Sequence, residues 1–232
     1  NDSGIHQVTL CCFFGDIDPL NVKKGRTQAL ASLERAAKFA GELQIHNIAV
    51  RGITGPWAFQ IGRNYQRLGI HWRVVNFVRE VRKIARKAKI PFFLESLRRE
   101  ENTAMWGTVP ALHVVRQVND PEYIRMHLDT FHMSLWEGRG VDEQLPYTLM
   151  RCGKWLGYFH GSGSQRRTPG TRGDCNGWYH DWMDVAQGLH RNRKHGGKLF
   201  CICFEGFSPK FRKLVPAIGG EFPEDLPPEQ AI

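Results

Sequence analysis

The chain has 232 residues, enough for one large α/β domain or two small ones, and its 41% hydrophobic content supports a sizeable core. Its 32 Lys and Arg against 23 Asp and Glu leave a formal charge of +9, yet the basic residues fall in separate places: "VRKIARKAK", "SQRRTPGTR" and "RNRKHGGK". No zinc-finger, RRM or KH pattern accompanies them, so no nucleic-acid partner is expected, and no apolar stretch approaches the roughly 20 residues that span a bilayer, so no membrane partner is expected either.

Six short apolar runs punctuate the chain in order: "QVTLCCFF", "IHNIAVRG", "IPFFLES", "YIRMHLD", "LGYFHG" and "KLFCICFEG". Their β-branched, aromatic and cysteine content and their near-continuous hydrophobicity predict strands of a parallel sheet covered on both faces. Between them lie helical patterns. Residues 25–43 place Leu30, Leu33, Ala37, Ala40 and Leu43 at helical spacing, and residues 74–88 do the same with Val74, Phe77, Val78, Val81, Ile84, Ala85 and Ala88. Strand and helix alternating in this way is the signature of repeated βα units. The whole of 1–232 reads as a single domain, ending in a proline-rich acidic tail over 221–232 that is expected to be extended. Six cysteines without a CxxC pair or a small disulfide framework, and no charged-then-apolar signal at the N-terminus, point to a reducing cytoplasm.

A doubly wound sheet and a β/α barrel both satisfy this alternation, and the polar residues favour the barrel. Glu95 ends the third run, Asp129 the fourth, His160 the fifth and Glu205 the sixth. In a barrel, the C-terminal ends of the strands form the rim on which chemistry is assembled from several strands. No GxGxxG turn follows an early strand, which weakens the dinucleotide-binding alternative. One acid at a strand end is ordinarily a loop cap. Three carboxylates and an imidazole converging on one mouth would repel each other unless a cation or shared protons compensated them. Oxygen ligands with one nitrogen favour Mn²⁺ or Mg²⁺, with Co²⁺ as a further candidate, over a closed tetrahedral zinc site. Flanking these residues, Glu101 lies six positions beyond Glu95, His132 three beyond Asp129 and Arg166 six beyond His160. Singly these are solvated loop charges or a satisfied imidazole; together they describe a sugar site.

In "LESLRREE", "LDTFHMS", "FHGSGSQRRTPG" and "CFEGF" the chain resembles the D-tagatose 3-epimerase and D-psicose (allulose) 3-epimerase family, within the xylose isomerase-like β/α barrels. The resemblance runs from about residue 7 to about residue 210, with "DTFHM" its most specific element. It implies a TIM-type (β/α) barrel and a metal-dependent ketose 3-epimerase, an isomerase that removes a proton next to a carbonyl through an enediolate. Carried over by position, it makes Glu95, Asp129, His160 and Glu205 the ligands of a divalent metal, Mn²⁺ first, with Co²⁺ or Mg²⁺ as alternatives. Glu95 and Glu205 become the paired catalytic bases, and Glu101, His132 and Arg166 the substrate-binding groups. The substrate is then a ketose or a sugar phosphate.

Two departures from the pattern matter. A complete barrel has eight strands and this chain shows six runs, the first resembling the family's third strand, so the first two βα units are absent and the domain is expected to be N-terminally incomplete. A homo-oligomer or a partner chain completing the barrel is therefore expected, since open strand edges are normally paired or covered. The loop "GSGSQRRTPGTRGDCNGWYH" is also longer than its counterpart in the family, and its Arg166, Arg167 and Arg172 could hold a phosphate. The alternatives are inosose isomerisation, C-glycoside deglycosylation or lyase chemistry on a 3-keto sugar, and a non-catalytic sugar-binding subunit.

Overall fold

The computed structural model describes residues 8–14, 17–21, 24–51, 53, 70–97, 105–136, 140–162 and 182–204. All six apolar runs contain a strand: β1 (Thr9–Phe13), β2 (Asn47–Arg51), β3 (Phe92–Glu95), β4 (Ile124–Asp129), β5 (Leu156–Gly161) and β6 (Cys201–Phe204). The helices are α1 (Gly25–Glu42), α2 (Ile70–Ala88), α3 (Thr108–Val118), α4 (Thr130–Trp136), α5 (Gly140–Cys152) and α6 (Trp182–Lys194), with a 3₁₀ turn over Gly153–Trp155. Helix α2 starts four residues before its apolar pattern does, and Trp72 and Arg73 of that opening turn are exposed and do not join the buried stripe. Helix α1 ends one residue short of Leu43, which serves as its cap.

The strands lie in the order β1-β2-β3-β4-β5-β6, and every neighbouring pair is parallel. That order excludes a doubly wound sheet, in which the strand order reverses at a switch point. Successive parallel neighbours joined by helices are the wall of a β/α barrel, and six of them make a partial one. No helix among the described residues is long and apolar enough to cross a membrane, and no disulfide joins the described cysteines, Cys11, Cys12, Cys152, Cys201 and Cys203, to one another.

The two faces of the sheet differ chemically. Ile48 and Val50 of β2, Phe92 and Leu94 of β3, Ile124, Met126 and Leu128 of β4, and Leu156 and Phe159 of β5 share one buried core with the helices. The helices meet them with Leu33 and Ala37 of α1, Phe77, Val78 and Val81 of α2, and Val114, Val115 and Val118 of α3. Because side chains alternate along a strand, the intervening residues point the other way, into the barrel. These are Asn47 and Arg51, Phe93 and Glu95, Arg125, His127 and Asp129, and Tyr158 and His160. The near-continuous hydrophobicity of the runs therefore resolves into an apolar outer face and a largely polar inner one.

One residue sets the facing of β5. The β4–β5 register shifts between Met126 and His127, so that Met126 pairs with Leu156 but His127 pairs with Tyr158, leaving Gly157 as an extra residue. This bulge lets Leu156 and Phe159 both face the helices while Tyr158 and His160 both face inward. A Cβ at Gly157 would lie 2.5 Å from Phe93 Cε1 and 2.9 Å from Arg125 Cβ. The substitution Gly157→Ala is expected to destabilise the fold by about 1–3 kcal/mol through overpacking. Urea denaturation measures it, and a shift below about 0.5 kcal/mol would show that Phe93 moves aside at little cost.

Candidate active site

The C-terminal ends of β2 to β5 bring five polar side chains to one place, and all but Arg51 are buried. Glu95, fully buried at the end of β3, is the centre. Arg51, at the end of β2 and 13% exposed, forms an ion pair with it through Nε, and its Nη2 donates to Glu95 Oε1 at 3.1 Å. His132 Nε2 lies 3.7 Å from Glu95 Oε1 and 3.9 Å from Asp129 Oδ2. His160 Nδ1 lies 3.8 Å from the same Asp129 oxygen.

Local chemistry explains why these side chains hold their positions. Asp129 is the last residue of β4, and its Oδ1 accepts a 2.8 Å hydrogen bond from the backbone N–H of Phe131 in the first turn of α4. That bond satisfies one of the donors left free at a helix start and leaves Oδ2 directed at the histidines. His132 follows one turn of α4 later, so the three-residue spacing returns it to the side of Asp129. Thr130 Oγ1 donates to the Ser162 carbonyl at 2.6 Å and accepts from the Ser162 N–H at 2.7 Å. This reciprocal pair ties the end of β4 to the end of β5 and fixes Asp129 opposite His160, its partner in the strand register.

Beneath this layer, aromatic rings fill the barrel interior. Phe93 and Tyr158 stack with centroids 6.1 Å apart, and Phe93 also meets Phe200 at 5.8 Å. Burial first, and then the Cys203 thiol, push the Tyr158 phenol up from its ordinary value. The fully buried His127 stands edge-on to Tyr158 at 4.6 Å and to His160 at 4.1 Å. Its imidazole is held neutral, well below the ordinary histidine range, by burial first and then by His160, with Asp129 pulling the other way.

The His127 shift has a consequence for stability in acid. The folded-state pKa lies below the unfolded value of about 6.5, so the unfolded chain binds the extra proton. This contribution is fully present above about pH 6.5 and is lost as pH falls toward the folded pKa, at up to about 1.4 kcal/mol per pH unit. In chelator, His127→Phe is expected to show a shallower decline of unfolding free energy between pH 6.5 and 5 than the parent protein. Parallel curves in urea would mean that His127 is not held neutral.

Of the residues singled out in the sequence, Glu95, Asp129, His132 and His160 are thus brought together, whereas Glu101, Arg166 and Glu205 lie outside the described residues, as do Arg167 and Arg172. Two members of the cluster were missed. Arg51 closes the second apolar run as Glu95 closes the third, so the signal that found the acids was present for it. His127 stands two residues before Asp129 on the same strand face, a spacing of two that identifies an inward side chain once the strand is known.

The donor set suits a divalent cation. The ligand atoms of Glu95, Asp129 and His132 lie within 4.8 Å of one another, as do those of Glu95, His127 and His160.

Comparison with known proteins agrees with this geometry. Over 148 residues the chain is 29% identical to D-psicose 3-epimerase of Ruminiclostridium cellulolyticum, covering 64% of this chain and 46% of that protein. It is 27% identical over 145 residues to D-psicose 3-epimerase of Agrobacterium fabrum, covering 62% and 48%. The chain thus spans about half the length of the curated relatives it matches. Among solved structures, D-psicose 3-epimerase with D-tagatose from Clostridium cellulolyticum superposes with a TM-score of 0.68 at 25% identity, covering 86% of this chain and 65% of that one. The 3-keto-D-glucoside 4-epimerase of E. coli superposes with a TM-score of 0.66 at 18% identity, covering 94% and 80%, a likeness of fold. The family model of the xylose isomerase-like TIM barrel matches residues 1–208, and with six consecutive parallel strands bearing a buried acidic and imidazole cluster at their C-terminal ends, this chain belongs to that family.

Proposed function

We propose that this chain is the catalytic part of a sugar epimerase that moves a proton at the carbon next to a ketose carbonyl, with C3 epimerisation as the specific reaction. The observation that carries this reading is Glu95. It is a carboxylate removed from water, at the C-terminal rim of a barrel wall, with Arg51, Asp129, His132 and His160 around it. The similarity to D-psicose 3-epimerases of two organisms supports a ketose as the substrate class.

In this reading Glu95 takes the proton from one face of the substrate carbon, and Glu205, which follows β6, serves the opposite face. Glu101, His132 and Arg166 hold the substrate's first carbons and oxygens. Arg51 keeps the Glu95 carboxylate oriented before substrate arrives, and His132 bridges Glu95 and Asp129 by position. Glu95, Asp129, His160 and Glu205 would hold the divalent cation, Mn²⁺ in the first instance. When bound, that ion supplies a Lewis-acid charge for negative charge developing on adjacent substrate oxygens. The carboxylates and Arg51 do what water cannot, because a C–H beside a ketone is only weakly acidic and needs a fixed base at hydrogen-bonding distance.

The test is deuterium incorporation at C3 in D₂O with saturating Mn²⁺, followed by NMR for a panel of ketoses, ketose phosphates and 3-keto glycosides. Incorporation together with the C3 epimer is the expected result. Incorporation without the epimer would replace epimerisation by isomerase or lyase chemistry. No exchange with any of the panel, with and without co-purifying chains, would leave a sugar-binding subunit as the reading.

A further inference from the structure

His127 lies two residues before Asp129 on β4, facing inward and one step deeper into the barrel. The ring is fully buried and neither Nδ1 nor Nε2 has a hydrogen-bond partner. A neutral imidazole carries one N–H donor and one lone pair, and burying both uncompensated is costly enough that native proteins rarely do it. The surroundings show what Nδ1 faces. Nδ1 is 3.8 Å from Glu95 Oε2, and the ring stands at right angles to His160, whose own Nδ1 reaches toward Asp129. Two ligand atoms each about 2.1 Å from one ion are themselves roughly 3–4 Å apart. The donor atoms of Glu95, His127 and His160 all lie within 4.8 Å of one another, close to that range, and they share only Glu95 with the Asp129 and His132 group above them.

We propose that His127 is a metal ligand, and that with Glu95 and His160 it gives the metal centre an inner, nitrogen-rich side that takes a borderline transition-metal ion such as Co²⁺ or Zn²⁺ in preference to Mg²⁺. The inference rests on reading the Glu95 cluster as a metal centre, and deepens it. Two imidazoles and one carboxylate are a nitrogen-rich set that suits first-row transition metals, whereas Mg²⁺ demands oxygen donors and releases its water reluctantly. One of the two orphaned nitrogen atoms of His127 then has a partner that aromatic packing alone does not supply.

The experiment uses the full chain, stripped with chelator and labelled with ¹⁵N in the histidine rings. One equivalent of Zn²⁺ is expected to move ring-nitrogen resonances of both His127 and His160 to metal-bound positions, assigned by their disappearance in His127→Gln and His160→Gln. Calorimetric titration should show Co²⁺ affinity falling at least about 10- to 100-fold in His127→Gln, with Mg²⁺ affinity changing less than about threefold. The NMR measurement on the parent chain stands even if a variant does not fold. Saturation with Zn²⁺ that shifts His160 but leaves His127 unmoved would overturn this inference and keep the metal centre. Failure of the parent chain to bind any of the three ions or Mn²⁺ would overturn both. A Co²⁺ affinity within threefold of the parent in folded His127→Gln would also overturn it.

Discussion

Glu95→Gln is expected to lower turnover of the sugar that shows exchange by about 10²- to 10⁴-fold, the range over which a positioned acid or base contributes. Gln keeps the size of the side chain and an oxygen that can accept from Arg51 Nη2, which now donates to Oε1 at 3.1 Å. It removes the charge and the basic lone pair together. Because Glu95 meets Arg51 on one side and His132 on the other, the variant changes the centre of the cluster without opening a cavity. The effect should fall on kcat more than on KM if the carboxylate acts mainly in the transition state, since loss of ground-state binding alone would raise KM with kcat unchanged. Metal content of the variant is measured in parallel, so that a lost ion is told apart from a lost base. A variant with full ion content and turnover within about threefold of the parent would remove Glu95 from the chemistry.

The largest effect on stability is expected from Arg51→Leu in the metal-free protein, about 3–5 kcal/mol by urea denaturation. The cost comes from what remains. Glu95 is fully buried, and without the guanidinium its carboxylate is a desolvated charge deprived of its closest counter-ion, which is much worse than removing both partners. The double variant Arg51→Leu with Glu95→Leu should therefore recover a large part of the loss, and the cycle measures the coupling directly. A divalent cation should also recover part of it, because an ion bound to the folded state alone adds about 2.7 kcal/mol at a concentration 100 times its dissociation constant. Arg51 and the ion would then compensate the same carboxylate in turn. A single-variant loss below about 1 kcal/mol, with no gain on adding Mn²⁺, would show that the pair is solvated in solution and that Arg51 has no such role.

The sequence by itself determined the strands, the order of chemistry along them and the family. All six apolar runs became strands because β-branched and aromatic residues bounded by turn residues pack well on a pleated surface, and the patterns of residues 25–43 and 74–88 became helices whose apolar stripe faces the sheet. Glu95, Asp129 and His160 were legible because a polar residue closing an apolar run stands out, and "DTFH" because three residues on a helix return to the same side. Tertiary structure decided what those residues face. Arg51 looked like one more basic residue until the β2–β3 pairing set its strand beside that of Glu95. His127 looked like part of an apolar strand until the alternation of β4 turned it inward with Asp129, away from Met126 and Leu128. The bulge at Gly157 could not be read from spacing, because a strand run does not show which residue its neighbour leaves unpaired, yet it decides that His160 points into the barrel. Periodicity reports which side of its own element a residue occupies; only the register between elements determines which charges meet, and at this site the chemistry depends on that meeting.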